Sequence, residues 1–271
     1  MIDFSDTMNI YYLVVFFLLG ISVGSFLNVI IYRVPKQISF TKGFSHCPAC
    51  NNRLKPFDLI PLLSYLVLNR KCRYCGVRIS PRYFFVELLT GIVYCSIFLK
   101  FGLSAEFFAF SFFMSVLIAV FFIDYDEMII PDGLVITGLI GGGVLYIYST
   151  IYQFNFFGDV SWWNPILGMI LGPVVILSML IVGSLIYNAE AMGGGDVKLF
   201  APIGLFLGWK MTIMSLFLSI VAGGILGGLL ILFKIKDRKS VMPFGPFIVV
   251  GTYVTIMAGQ EIFNWYFRGL Q

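Results

Sequence analysis

The chain has 271 residues, of which 59% are hydrophobic and 12% charged, with a mean hydropathy of +0.94 and a formal net charge of +4. No soluble domain of this length hides that much apolar surface, so the class is an all-α, polytopic membrane protein. The charges are few enough that where they stand carries most of the information.

In chain order, the first apolar run is Ile10–Ile31, long enough to span a bilayer. Asp3 and Asp6 precede it where a secretory signal would carry basic residues, so it reads as a retained helix. Residues 32–82 follow as a polar loop holding Cys47-Pro-Ala-Cys50 and Cys72-Arg-Tyr-Cys75. Each Cys-x-x-Cys presents two sulfurs from one tight turn, and four thiolates close a tetrahedral site suited to structural zinc. A segment of this size buries little core, so a metal staple is physically sensible. Disulfides suit a reducing compartment poorly, and a redox motif would not need a second matching pair. His46 adjoins Cys47 as an alternative ligand, although a solvated histidine is the simpler reading. Cys95 reads as a small apolar residue in a span.

Seven further spans follow from hydropathy: Tyr83–Leu99, Glu106–Ile123, Leu134–Tyr152, Pro165–Tyr187, Val197–Gly208, Met211–Phe233 and Phe244–Ile262. The division at 208–210 is forced by length. A single helix over 197–233 would run roughly 55 Å against a hydrocarbon core of about 30 Å. Gly208-Trp209-Lys210 supplies a glycine, an interfacial aromatic and a charge for a hairpin. About eight helices result, divided as a first helix (1–31), a cytoplasmic zinc-binding loop domain (32–82) and a membrane domain (83–271).

The basic residues orient this arrangement. Ten of the 18 Lys and Arg fall between Arg33 and Arg82, and Lys198, Lys234, Lys236, Arg238 and Lys239 lie in loops of the same parity. Only Lys100, Lys210 and Arg268 fall on the other side. The positive-inside rule then makes the large loop cytoplasmic and puts both termini outside. Basic residues beside a bilayer suit anionic headgroups, which favours membrane lipid as a partner and argues against nucleic acid.

Two carboxylates stand at the membrane boundary on that same side. Asp124 closes the third span in Phe121-Phe-Ile-Asp-Tyr-Asp-Glu-Met-Ile-Ile-Pro-Asp132, and Asp196 opens the sixth in Gly193-Gly-Gly-Asp-Val-Lys198. A carboxylate at this depth is expensive and marks function by default. Two that share a site cannot both ionise easily, so one holds a proton while the other activates water, which is general acid-base hydrolysis without a nucleophilic side chain. The glycines before Asp196 let an extended substrate backbone approach. Three other readings stay open on the residues alone. Asp124, Asp126, Glu127 and Asp132 form a solvated acidic loop, with Asp132 in a helix first turn and Asp196 as an N-cap. Asp124 and Asp126 instead chelate a metal in a lipid-phosphate transferase. The third is a non-enzymatic assembly factor whose zinc loop docks a partner. Within the spans, Gly24, Ser25 and Asn28 suit close helix packing or contact with a ligand, and Glu87 suits pairing with a basic loop residue or a place in the active site.

These residues, taken in order, resemble the type IV prepilin peptidases, membrane aspartyl proteases with a Gly-x-Gly-Asp motif. The resemblance is carried by Gly24-Ser-Phe-Leu-Asn-Val-Ile-Ile-Tyr-Arg-Val-Pro35, the two cysteine pairs, Ile79-Ser-Pro-Arg-Tyr-Phe-Phe-Val-Glu-Leu-Leu-Thr-Gly91, Ile123-Asp-Tyr-Asp-Glu-Met-Ile-Ile-Pro-Asp132 and Gly193-Gly-Gly-Asp-Val-Lys198. It implies an enzyme of the bacterial inner membrane that removes a short basic leader from prepilins or pseudopilins after a glycine. It also implies N-methylation of the new terminus by S-adenosylmethionine, with the 32–82 loop linked to methyl transfer. Asp124 and Asp196 become the expected catalytic residues, and Asp126, Asp132, Gly193, Gly195 and Lys198 the supporting ones. No glycine fingerprint for a dinucleotide-type fold occurs, so the residues that bind the methyl donor are not legible.

Overall fold

The structure, a computed structural model, describes residues 7–41, 43–152, 161–187, 193–234 and 242–268. Asp3, Asp6, Lys42, Lys236, Arg238 and Lys239 of the arguments above lie outside them. The elements are α1 (Thr7–Arg33), a short 3-10 turn (Pro56–Leu59), α2 (Leu63–Val67), α3 (Pro81–Phe101), α4 (Ala105–Glu127), α5 (Asp132–Tyr152), α6 (Trp163–Tyr187), α7 (Gly194–Leu232) and α8 (Gly245–Arg268). Among the described residues no strand occurs, and seven helices are long and apolar enough to cross a membrane. The all-α membrane architecture holds.

The chain divides into two compact units, residues 1–119 and 120–271. In the first, α1 and α3 approach so closely that side chains are excluded between them. A Cβ on Gly20 would lie 2.8 Å from Gly91 Cα, and one on Gly24 would lie 2.7 Å from Glu87 Cα. This is the small-residue spacing by which membrane helices pack, since lipid supplies no hydrophobic drive between them. Gly24 is therefore a packing residue. Aromatic rings fill the far end, with Phe16 at 4.2 Å from Phe107 and 5.0 Å from Phe98, centroid to centroid. Tyr94 and Ser115 hydrogen-bond at 3.0 Å, so those two buried hydroxyls satisfy each other.

In the second unit, α7 explains how seven helices make eight spans. Its backbone leaves the helical region at Gly208 (φ 72°, ψ 169°), a conformation that glycine alone adopts at little cost. A Cβ on Gly172 of α6 would touch both Phe200 and Thr212, at 3.1 and 3.0 Å. Twelve residues of continuous helix would hold those two about 18 Å apart, so α7 folds back on itself as a hairpin. Breaking a helix at this depth frees backbone groups that need partners. Asn164 meets that need, its side-chain oxygen accepting from Trp209 N–H at 3.0 Å. Beside the break, Gly204 and Gly168 bring α7 and α6 into backbone contact.

Helix ends run somewhat beyond the hydropathy windows. Asp124 sits a turn inside α4 rather than at its end, because hydropathy marks the hydrocarbon and not the backbone hydrogen bonds. The helix continues through Tyr125, Asp126 and Glu127 and stops at Met128, whose φ of 54° caps it with an N–H bond to the Asp124 carbonyl (2.9 Å).

Candidate active site and metal centre

The cysteine pairs form two copies of one local turn. In the first, Asn51 N–H bonds the Cys47 carbonyl and Cys47 N–H bonds the Asn52 carbonyl; in the second, Gly76 N–H bonds the Cys72 carbonyl and Cys72 N–H bonds the Val77 carbonyl. Asn51 (φ 54°) and Gly76 (φ 70°) take the left-handed conformation that the reversal requires, using the residue types that tolerate it. The sulfurs of Cys47, Cys50, Cys72 and Cys75 all lie within 4.8 Å of one another, and those of Cys47 and Cys75 are 3.9 Å apart. A tetrahedral ion with bonds of about 2.3 Å spaces its sulfurs by about 3.8 Å, so the cluster fits a closed four-thiolate metal site. The Val77 amide favours the Cys75 thiolate, yet partial dehydration and the Cys50, Cys72 and Cys47 thiols outweigh it and push Cys75 up to about 11. Metal binding must therefore displace protons. His46 stands outside the cluster, its Nδ1 3.3 Å from the Phe44 carbonyl oxygen.

Asp58 ties the module together. Its carboxylate accepts from Arg73 Nε (2.7 Å), Lys55 N–H (3.1 Å) and the Tyr74 hydroxyl (3.2 Å). Loss of hydration works against its charge, but these three donors prevail and hold the carboxyl below its usual range.

The two membrane aspartates both belong to the second unit, and each is buried at 5% exposure. Asp124 accepts the backbone N–H of Gly245, at the start of α8, at 2.9 Å. Asp196 lies in the first turn of α7, where Gly193 takes the cap position, so Asp196 is not itself the N-cap. Its N–H bonds the Gly193 carbonyl at 3.1 Å. The glycine turn packs on the loop that follows α4: a Cβ on Gly195 would come within 3.0 Å of Ile130. Asp124 and Asp196 lie within electrostatic reach of each other. Among the described residues, nothing lies within 4 Å of a Cβ placed on Gly194.

The remaining acidic residues differ in kind. Asp126 is exposed, and on a helix turning about 100° per residue it points roughly 200° away from Asp124. Asp132 opens α5 and pairs with Lys198 at 2.9 Å, both side chains exposed, an ion pair worth at most about 1 kcal/mol. Glu87 is buried, and the partner differs from the expected cation. It accepts the Leu62 backbone N–H at 2.8 Å and bonds Ser25. Lone loop amides carry no sequence signal, whereas charges do. The Gly245 amide was equally hidden, although Pro243-Phe-Gly-Pro246 before an apolar run marks a turn into a helix.

Two buried carboxyls within electrostatic reach of each other, on helices long and apolar enough to cross a membrane, and a four-sulfur cluster that could hold a metal are what this chain brings to the comparison with known proteins. The family described as Bacterial Peptidase A24 N-terminal domain matches residues 18–101, and the Type IV leader peptidase family matches residues 111–228. A prepilin leader peptidase/N-methyltransferase of Aeromonas hydrophila is 33% identical over 275 residues, covering 92% of each chain. One from Bacillus subtilis (strain 168) is 32% identical over 94% of this chain and 97% of its own. One from Myxococcus xanthus (strain DK1622) is 36% identical over 80% of this chain and 62% of its own. No solved structure matches. The chain belongs to the prepilin leader peptidase/N-methyltransferase family.

Proposed function

We propose that Asp124 and Asp196 are the catalytic pair of a prepilin leader peptidase that also methylates the new N-terminus. The enzyme cleaves prepilins and N-methylates them, as its family membership gives. What supports the assignment is that two buried carboxyls 72 residues apart in sequence belong to one unit and lie within electrostatic reach of each other.

One carboxylate takes a proton from water, and the resulting oxygen attacks the carbonyl carbon of the scissile peptide. The other carboxyl gives its proton to the carbonyl oxygen as the tetrahedral species forms. Return of that proton from the oxygen and delivery of the water-derived proton to the leaving nitrogen break the C–N bond and restore the pair. The Gly245 amide holds Asp124 in place, and the open face of Gly194 admits an extended backbone. Asp126, Asp132, Gly193, Gly195 and Lys198 support the site, Gly195 by its contact with Ile130 and Lys198 by its tie to Asp132. The scissile bond would follow a glycine between a basic leader and an apolar helix, at the cytoplasmic face of the inner membrane, with both termini outside. The four cysteines would hold zinc, the ion best suited to four thiolates in a closed site, and so stiffen a module spanning 32–82 beside the first helix and the 83–271 membrane domain. S-adenosylmethionine supplies the methyl group.

A metal-dependent transferase on Asp124 and Asp126 is disfavoured, because those side chains leave opposite sides of α4. In vitro cleavage of a prepilin tests the assignment. Asp124→Asn and Asp196→Asn should each lower kcat at least about 10³-fold while the protein still inserts and binds zinc. Retained cleavage in either variant would overturn it.

A further inference from the structure

Between the two cysteine pairs the chain carries Pro56-Phe-Asp-Leu-Ile-Pro-Leu-Leu-Ser-Tyr-Leu-Val-Leu68, an apolar run in an otherwise polar module. Phe57, Leu59, Ile60, Leu63, Leu66 and Val67 are each 40% exposed or more, and Phe57 and Val67 reach 73% and 74%. Neither the peptidase chemistry nor the thiolate cluster uses this ridge. We infer that residues 57–67 are an interfacial membrane anchor, seated in the leaflet at the loop ends of α1 and α3. Their apolar face lies among lipid chains and their basic flanks meet anionic headgroups.

The run folds with its amphipathicity reversed. α2 turns about 100° per residue, so Leu63, Leu66 and Val67 share one face and Tyr65 takes the other. Tyr65 is buried and, with Ser64 and Leu68, lines a cavity against α1 and α3, so the face turned outward is the purely apolar one. A soluble helix turns its leucines and valines inward. An apolar patch rimmed by charge marks a surface that meets a membrane or another protein.

Depth selects lipid. The Leu62 N–H donates to Glu87 Oε2 at 2.8 Å, and the Tyr65 and Phe84 ring centroids lie 5.4 Å apart. Glu87 stands six residues along α3 from its first residue, Pro81, about 9 Å down the helix axis. α3 has 21 residues, about 32 Å, so nearly its whole length is needed to cross a core of about 30 Å. The ridge is therefore tied beside the entry of a spanning helix, within the roughly 5–10 Å to which interfacial helices sink. Charge agrees with depth. Residues 32–82 hold ten Lys and Arg against one acid, Asp58, whose carboxylate accepts from Arg73, Lys55 and Tyr74. Lys55, Arg70 and Lys71 are exposed at the two ends of the ridge, where anionic phosphates would meet them and a basic peptide would be repelled. Seated there, the ridge fixes the four-sulfur module at the bilayer surface.

Photolabelling of the full-length protein in nanodiscs tests the anchor. Discs of phosphatidylcholine and phosphatidylglycerol, each holding one copy, carry a lipid with a diazirine on its upper acyl chain, and labelled peptides are mapped by mass spectrometry. Peptides covering 56–68 should take label to within about threefold of those from the loop end of α3. Leu63→Glu combined with Leu66→Glu should lower the label on 56–68 at least about fivefold, with α3 label and zinc content unchanged. Wild-type peptides from 56–68 without label, while α1 and α3 are labelled, would overturn the anchor with no variant needed. Protection of 56–68 from aqueous hydroxyl radicals that requires a second copy in the disc, or an added prepilin, would give the face to that partner and contradict lipid as its occupant.

Discussion

The cysteine cluster and the aspartate pair solve the same problem, bringing charged groups together, by opposite routes. Each half of the cluster is made by a turn of a few residues, closed by its own backbone hydrogen bonds and repeated almost identically in the other half. The aspartates depend on distant helix ends, a glycine turn packed on Ile130, and an amide borrowed from α8. The metal site is thus built mostly from local geometry, while the acid pair is built from tertiary packing. A locally built site fails by losing its ligand; a tertiary one fails by losing its neighbours.

The largest effects should separate the two regions. Substituting either aspartate by asparagine should abolish cleavage and leave the zinc content unchanged. Cys72→Ser should do the reverse, releasing the metal and exposing residues 43–82 to protease, while leader cleavage by the other unit falls less than about tenfold. Limited proteolysis and metal analysis of the purified variants check this. A Cys72→Ser protein with full zinc and an intact loop would remove the structural role of the cluster.

Acid should act next, and on the loop first. The folded carboxyl of Asp58 is depressed, so its contribution is present above the unfolded value near 3.8 and is lost as pH falls through the folded value. Protease sensitivity of the loop should therefore stay flat from neutral pH to about 4 and rise below it, and Asp58→Asn should flatten that acid limb. An unchanged limb in the variant would assign it to thiol protonation alone.

Salt should have the smallest effect and should touch only the acid pair's approach. Asp126, Glu127 and Asp132 are exposed, so any pull they exert on a basic leader would act through solvent, where screening is strong. Raising ionic strength should raise KM by a few-fold and lower kcat less; a salt-insensitive KM would remove the steering role.

The same local-versus-tertiary contrast decided what was legible beforehand. The spans, the two cysteine turns and the break at Gly208 could be read because length, composition and short spacing dictate them. A continuous α7 would exceed the hydrocarbon, and the glycine stood at the only break the charges allowed. The Gly245 amide on Asp124, the Leu62 amide on Glu87 and the Asn164 cap on Trp209 could not be read. Backbone amides look alike in every residue, so which one reaches a buried carboxylate is fixed only when helices pack.

The central claim is that two distant aspartates act as one catalytic unit, and non-additivity measures it most directly. Prepilin cleavage by Asp124→Asn, Asp196→Asn and the double variant should fall to a common floor, the double no slower than either single, because removing one member already disables the pair. Losses that multiply in the double variant would mean the two carboxyls work independently, and the shared site would be wrong.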